Sequence, residues 1–386
     1  MSTKALRLCH LADVHLGYRR FNRLNKSGFN QRESDVNAAF REAVEKIIAL
    51  RPDCVLIAGD LFHSVRPSNA VMTFAFREIR RLVTQLKAPV VIIAGNHETP
   101  RRADSGSPLR ILAEIQGVFV ADTKEERFAF PDLDLSVMCL PHATLQNAQT
   151  NLDLLTDDKY THNVLLTHAQ LAERWISDFG GATVRLSDLK CQIWDYVALG
   201  HIHVQTDVAL NAAYSGSVEY SSHNFWNEAS SNKGFLEIEL PSGTRKFHQL
   251  TSPREVVVIA KLDVEGLALE DVNKAINDRI ENIAGGLDGK LVRLEVINVT
   301  PEVRRQLDYR EIRKWRAKAL HLAIDFRAPE RDPAQAFVRG SLQKLDQELK
   351  SFLKTWKFQQ TTEEHCFATV QEYFKRLEVE VEASGG

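Results

Sequence analysis

Apolar positions in the first half of the chain fall into short unbroken runs, separated by longer stretches with helical spacing. The runs Ala5–Ala12, Cys54–Ala58, Val90–Ala94, Leu135–Leu140, Val164–Thr167, Tyr196–Leu199 and Phe235–Leu240 predict strands. Between them, Asn37–Leu50 and Ala70–Leu86 repeat apolar residues every three or four positions and predict amphipathic helices. VLIA and VVIIA lack polar alternation, which fits strands buried on both faces. Strands alternating with helices predict a layered α/β domain. After Pro253-Arg254 the pattern restarts: strand 255–264, helix 269–284, a GGLDG turn at 285–289, strand 290–299, helix 301–318 and strand 319–327, a small α+β unit. The prolines of RAPERDP then mark a linker. Beyond it Val338, Leu342, Leu345, Leu349, Phe352 and Trp356, then Phe367, Val370, Phe374, Leu377 and Val381, keep the three-and-four spacing of a helical pair. Thr361 with Glu364 supplies a capping box to the second helix. The expected domains are residues 1–252, 253–327, a linker at 328–333 and a helical hairpin at 334–386.

Five of the apolar runs stop at a polar cluster of one chemical kind. The first ends in Asp13-Val14-His15, VLIA in Gly59-Asp60-Leu61-Phe62-His63, and VVIIA in Gly95-Asn96-His97-Glu98. NVLLT ends in His168, and DYVAL in Gly200-His201-Ile202-His203. One histidine at a strand end reads as a satisfied core residue. Five strand ends in succession bearing Asp, Asn or His read as a ligand crevice, because α/β sheets bind ligands at the carboxyl ends of their strands. The donors are oxygen and nitrogen without thiolate, which suits manganese, iron or zinc. A pair of such ions activates water and stabilises a phosphoryl transition state. The pattern therefore predicts a two-metal hydrolase.

Composition narrows the picture. A formal charge of −2 excludes a generally basic coat, so any nucleic-acid binding must come from local patches. Candidates are Arg19, Arg20, Arg23 and Lys26, the pair Arg101 and Arg102, and the stretch Arg304 to Lys318, which also reads as an ordinary solvated helix face. Five scattered cysteines and no C-x-x-C pair fit small core residues in a reducing compartment. No signal-peptide pattern precedes the first strand and no apolar stretch reaches membrane-spanning length, so a cytoplasmic protein is expected.

D-x-H, G-D-x-x-H, G-N-H-[DE], a lone T-H and G-H-x-H, in this order, resemble the calcineurin-like metallophosphoesterases over residues 5–240. DVHLGY at 13–18, Arg32, Asp35 and Phe40 spaced along the first helix, GDLFH at 59–63, YSGSVEYSS at 214–222 and Lys233-Gly234-Phe235 further resemble the SbcD-type, meiotic-recombination-eleven-like DNA repair nucleases. The resemblance implies a four-layer α/β/β/α core, a small α+β capping domain and a C-terminal helical hairpin. It implies that Asp13, His15 and His203 hold one divalent ion, that Asn96, His168 and His201 hold another, and that Asp60 bridges them. Manganese is the metal expected. His97 would protonate the leaving oxygen, with His63 and Glu98 standing behind the ligands and Arg19, Arg20, Arg101 and Arg102 meeting DNA. A homodimer is implied, nucleoid-associated, whose C-terminal helices grip an SMC-like (SbcC-type) ABC ATPase. Two departures are Glu98, where the family more often has Asp, and Ser215, where it commonly has Pro. The longer Glu98 would alter how His97 is oriented. Competing readings are a phosphodiesterase of small nucleotides and a non-catalytic scaffold presenting its tail helices.

Overall fold

The computed structural model describes residues 5–100, 106–147, 152, 154–173 and 181–329, with 365, 368–370 and 372. Arg101, Arg102 and nearly all of the predicted helical hairpin lie outside the described residues. The chain divides into two compact units: Met1–Leu262 with Leu269–Glu295 and Leu307–Asp325, and Asp263–Ala268 with Val296–Gln306 and Phe326–Gly386.

The first unit begins with strand β1 (Leu6–Leu11), helix α1 (Gln31–Leu50), β2 (Cys54–Ile57), α2 (Asn69–Leu86) and β3 (Val90–Ile93). These are followed by β4 (Val118–Ala121), β5 (Glu126–Phe130), β6 (Leu135–Leu140) and β7 (His162–His168). β1, β2, β3 and β4 lie parallel in one six-stranded sheet, completed by the antiparallel strands Gly234–Leu240 and Thr244–Gln249. A second six-stranded sheet holds β5, β6, β7 and the strands Tyr196–Gly200, Ala212–Tyr214 and Thr206–Ala209.

Alternation along each strand explains why the runs are apolar throughout. Cys9, Leu11, Val55, Ile57, Val90 and Ile92 pack on Val36, Phe40, Val44, Ile47, Ile79 and Leu82 of the two helices. Their neighbours Leu8, Cys54, Leu56, Val91 and Ile93 face the other way, onto Val137, Cys139, Val164, Leu166 and Ala198 of the second sheet. That sheet's outer face, with Leu140, Leu165, Val197 and Leu199, is covered by Leu145, Leu189 and Trp194. Each central strand is thus buried on both sides; a polar residue within one needs a partner, as His10 has in Tyr196 (2.9 Å), and the rest gather at the strand ends.

Several boundaries differ from the pattern-based expectation. Helix α1 starts at Gln31, six residues before the apolar spacing sets in, because the Asn30 side chain accepts from the backbone N–H groups of Arg32 and Glu33. The helix expected at 301–318 is two, Pro301–Gln306 and Tyr309–Lys318, since Asp308 caps the second by accepting from Arg310 and Glu311. Strands Val256–Asp263, Leu291–Ile297 and His321–Phe326 form a three-stranded sheet.

Candidate metal centre

The loops that follow β1 and β2 stay paired after the strands end. The N–H of Asp13 donates to the Gly59 carbonyl (3.1 Å), that of His15 to Asp60 (2.9 Å) and that of Leu16 to Leu61 (2.8 Å). This pairing holds Asp13, His15, Asp60 and His63 against one another. Asp13, His15, Asp60 and His201 all carry positive φ, from 51° to 103°. Such backbone costs roughly 1–3 kcal/mol per residue and persists where surrounding contacts over-determine it. The glycines permit the approach: a Cβ at Gly59 would lie 2.5 Å from His168 Nδ1, and one at Gly200 would lie 1.8 Å from the Ala58 carbonyl oxygen.

The seven predicted ligands converge at the carboxyl ends of strands from both sheets. Asp13, His15 and His203 form one group of facing donor atoms, and Asp13, Asp60 and His168 another. His203 Nε2 stands 3.2 Å from His15 Nε2 and 3.9 Å from Asp13 Oδ1. The Asn96 amide oxygen is 3.1 Å from both His168 Nε2 and His201 Nδ1. Asp60 lies between the groups: its Oδ2 is 3.5 Å from His168 Nε2 and 3.8 Å from His15 Nε2. His97 Nε2 is 4.0 Å from the same oxygen.

These donors fit divalent cations on chemical grounds. His168 Nδ1 lies 2.7 Å from the Ala58 carbonyl and must donate to it, which turns Nε2 toward the oxygens of Asn96 and Asp60. Lone pairs facing one another in a dry site repel unless a proton or a cation lies between them. Asp13 and Asp60 are both buried among these groups. Burial pushes the Asp13 carboxyl up to about 7. Burial opposes ionisation of Asp60 too, but His168 and His15 hold it well below the usual carboxylate range. Burial lowers His201 to about 3 and His203 to about 4, so both rings are neutral near pH 7 and able to ligate. Burial opposes charge on His168 as well, but Asp60 outweighs it and raises the ring to about 9, so near pH 7 Nε2 holds toward Asp60 a proton that a cation would displace.

His97 is placed differently. Its Nδ1 donates to the His63 carbonyl (2.8 Å), its N–H to Asp60 Oδ1 (2.9 Å), and its side chain is 34% exposed. The His63 ring stacks on it at 5.1 Å. Glu98, fully buried, does not orient the His97 ring as expected from its sequence position. It accepts from the backbone N–H groups of Gly95 (2.9 Å), Asp60 (3.0 Å) and Phe62 (2.6 Å), and so ties two ligand-bearing loops together.

Arg19 pairs with Glu33, and Arg20 donates to the His223 carbonyl (2.7 Å) while lying over the Phe21 and Phe225 rings. Residues the strand-end pattern missed stand behind the ligands. His142 accepts from the Ala182 N–H (3.0 Å), and its other nitrogen is 3.3 Å from Thr99 Oγ1, which donates to the Gly95 carbonyl. Glu228 and Lys233 pair with each other beside His203. His142 follows Pro141 at the end of β6 and Lys233 opens the Lys233-Gly234-Phe235 motif, whereas Glu228 lies in the turn between motifs and gave no signal.

The calcineurin-like phosphoesterase family model matches residues 6–205, just over half of the chain. A "DNA double-strand break repair protein Mre11" of Methanocaldococcus jannaschii is 28% identical over 287 residues, 71% of this chain and 72% of its own length. A component of the nuclease SbcCD of Staphylococcus epidermidis is 27% identical over 285 residues, 66% of this chain and 72% of its own. With these strand-end side chains brought together and the family match spanning them, the chain belongs to the calcineurin-like phosphoesterase family and is a metal-dependent phosphoester hydrolase.

Proposed function

We propose that this protein is a DNA nuclease of break repair or DNA-end processing, hydrolysing phosphodiesters with two divalent ions. The observation that carries the two-ion reading is the Asp60 carboxylate, one oxygen of which faces both ligand groups at 3.5 and 3.8 Å. The Methanocaldococcus relative is named for DNA break repair and the Staphylococcus relative as a nuclease, which supports DNA as the substrate.

Asp13, His15 and His203 would hold one ion, Asn96, His168 and His201 the other, and Asp60 both. When bound, the ions supply charge neutralisation for the phosphoryl oxygens and acidity for a water. Manganese is the ion we assign, one of the three, with iron and zinc, that such oxygen and nitrogen donors suit. His97 delivers a proton from Nε2 to the departing oxygen; the His63 carbonyl fixes its ring by holding Nδ1–H, and its exposure lets it reach substrate. Arg19, Arg20, Arg101 and Arg102 are assigned as DNA contacts. Residues 253–327 act as a capping domain. The helical hairpin at 334–386 docks on an SMC-like ABC ATPase, with Leu349, Phe352, Trp356 and Phe374 as anchors. The protein acts as a homodimer, cytoplasmic and nucleoid-associated.

Digestion of plasmid and oligonucleotide DNA with Mn²⁺ and with chelator, beside a small nucleotide diester, tests the reading. Metal-dependent cleavage of DNA ends is expected. Hydrolysis of the small diester alone would favour a nucleotide phosphodiesterase, and inactivity on both would favour a scaffold.

A further inference from the structure

We propose that Glu228 and Lys233 are positioning residues for His203, fixing its ring so that Nε2 is the atom offered to Asp13 and His15; this rests on the metal-site reading above. Lys233 is a lysine with no side-chain exposure, at the head of the strand that pairs with β1. A buried ammonium persists when each of its three donors finds an acceptor. Here it donates to the His203 carbonyl (2.9 Å), to Ser217 Oγ (2.9 Å) and to Glu228, with the Tyr220 ring 4.7 Å away. One of the three goes straight to the ligand's own main chain.

Glu228 grips the other side of the same residue. Its Oε1 stands 3.9 Å from His203 Nδ1, a buried nitrogen with no hydrogen-bond partner of its own. A shift of under about 1 Å brings that pair to hydrogen-bond distance. A neutral imidazole has one N–H. If Nδ1 carries it toward Glu228, the lone pair lies on Nε2, 3.9 Å from Asp13 Oδ1 and 3.2 Å from His15 Nε2. The opposite tautomer would aim an N–H into the ligand cluster and leave no donor pair there. His168 has its outer nitrogen held by a main-chain carbonyl, that of Ala58. For His203 the facing group is a carboxylate, which raises the basicity of the ligating nitrogen.

Two readouts test this on the full chain. Nitrogen NMR of metal-free protein should show His203 as the Nδ1–H tautomer. The double variant Glu228→Leu/Lys233→Met removes both grips without stranding a charge. It should shift His203 toward the Nε2–H form and weaken one of the two Mn²⁺ sites by about 10–100-fold, leaving the other at parent affinity. Parent affinity at both sites in that variant, or an Nε2–H tautomer in the parent, overturns the proposal. Should the double variant not fold, the tautomer of the parent decides alone. A parent that binds no Mn²⁺ would remove the metal reading, while the tautomer result would stand separately.

Discussion

His97 and His168 leave neighbouring strand ends with their outer nitrogens held by carbonyls, yet they face different surroundings. His168 is fully buried with its inner nitrogen among oxygens, whereas the His97 side chain is partly open to solvent. On that contrast we read His168 as a ligand and His97 as the acid, although His97 also lies within ligand distance of His15 and His63. His97→Ala should therefore keep both ions while slowing DNA cleavage by about 10²–10⁴-fold. A nitrophenyl diester, whose leaving group needs little protonation, should lose far less. A metal titration showing one site emptied by His97→Ala would reassign the residue as a ligand. The convergence of these strand-end side chains was legible in the sequence because the buried strands are mostly apolar and their Asp, Asn and His residues cluster at or just past their ends. Glu228 was not, since it lies on a short turn of helix 25 residues beyond His203 and shares no strand or period with it. Glu98 was legible as important and misread in its contacts, because its partners are backbone groups that no side-chain pattern encodes.

At the scale of elements, the close approach of the two sheets' strand ends depends on residues without a Cβ. Gly200→Ala would set a methyl 1.8 Å from the Ala58 carbonyl, the edge of β2's own loop. We expect a loss of about 1–3 kcal/mol from overpacking and weakened binding of metal, because His201 and His168 must shift with the strand. Gly28→Ala is the control: nothing lies within 4 Å of the added Cβ, and only its φ of 81° is strained. It should cost about 1–2 kcal/mol and leave metal affinity unchanged. Equal metal loss in both variants, measured by calorimetric titration, would show that the approach of the sheets is not what matters. The parallel strands were legible from their apolar runs. The edge strands Val118–Ala121 and Glu126–Phe130 were not: the first is an apolar run of only four residues, and the second has no buried position to set a pattern. The first turn of α1 has no apolar spacing, because Arg32, Glu33 and Asp35 are buried although polar, and only the family resemblance placed Arg32 and Asp35 on that helix.

For the whole molecule, that polar turn ties distant segments together. Arg32, fully buried, donates to Asp35 (2.7 Å), Glu219 (3.2 Å) and the Tyr220 carbonyl (2.7 Å). Arg254, where the second sequence pattern begins, pairs with Asp35 and donates its N–H to Glu219 (2.8 Å). Burial pushes the Asp35 carboxyl up, but Arg254 and Arg32 hold it below its ordinary value. A depressed carboxyl contributes stability that is complete above about pH 4 and is lost as pH falls through the folded value. Asp35→Asn should thus cost about 3–5 kcal/mol at pH 7, as breaking a buried pair does. In thermal unfolding the gap to the parent should narrow below pH 4. A gap that stays constant from pH 7 to pH 3 would mean that Asp35 is not held as a carboxylate. The central claim, one carboxylate serving two ions, is tested most directly by counting Mn²⁺ bound per chain in the parent and in Asp60→Ala. The account predicts two ions in the parent and weakened occupancy of both sites in the variant. A variant that still holds both ions at parent affinity would contradict it.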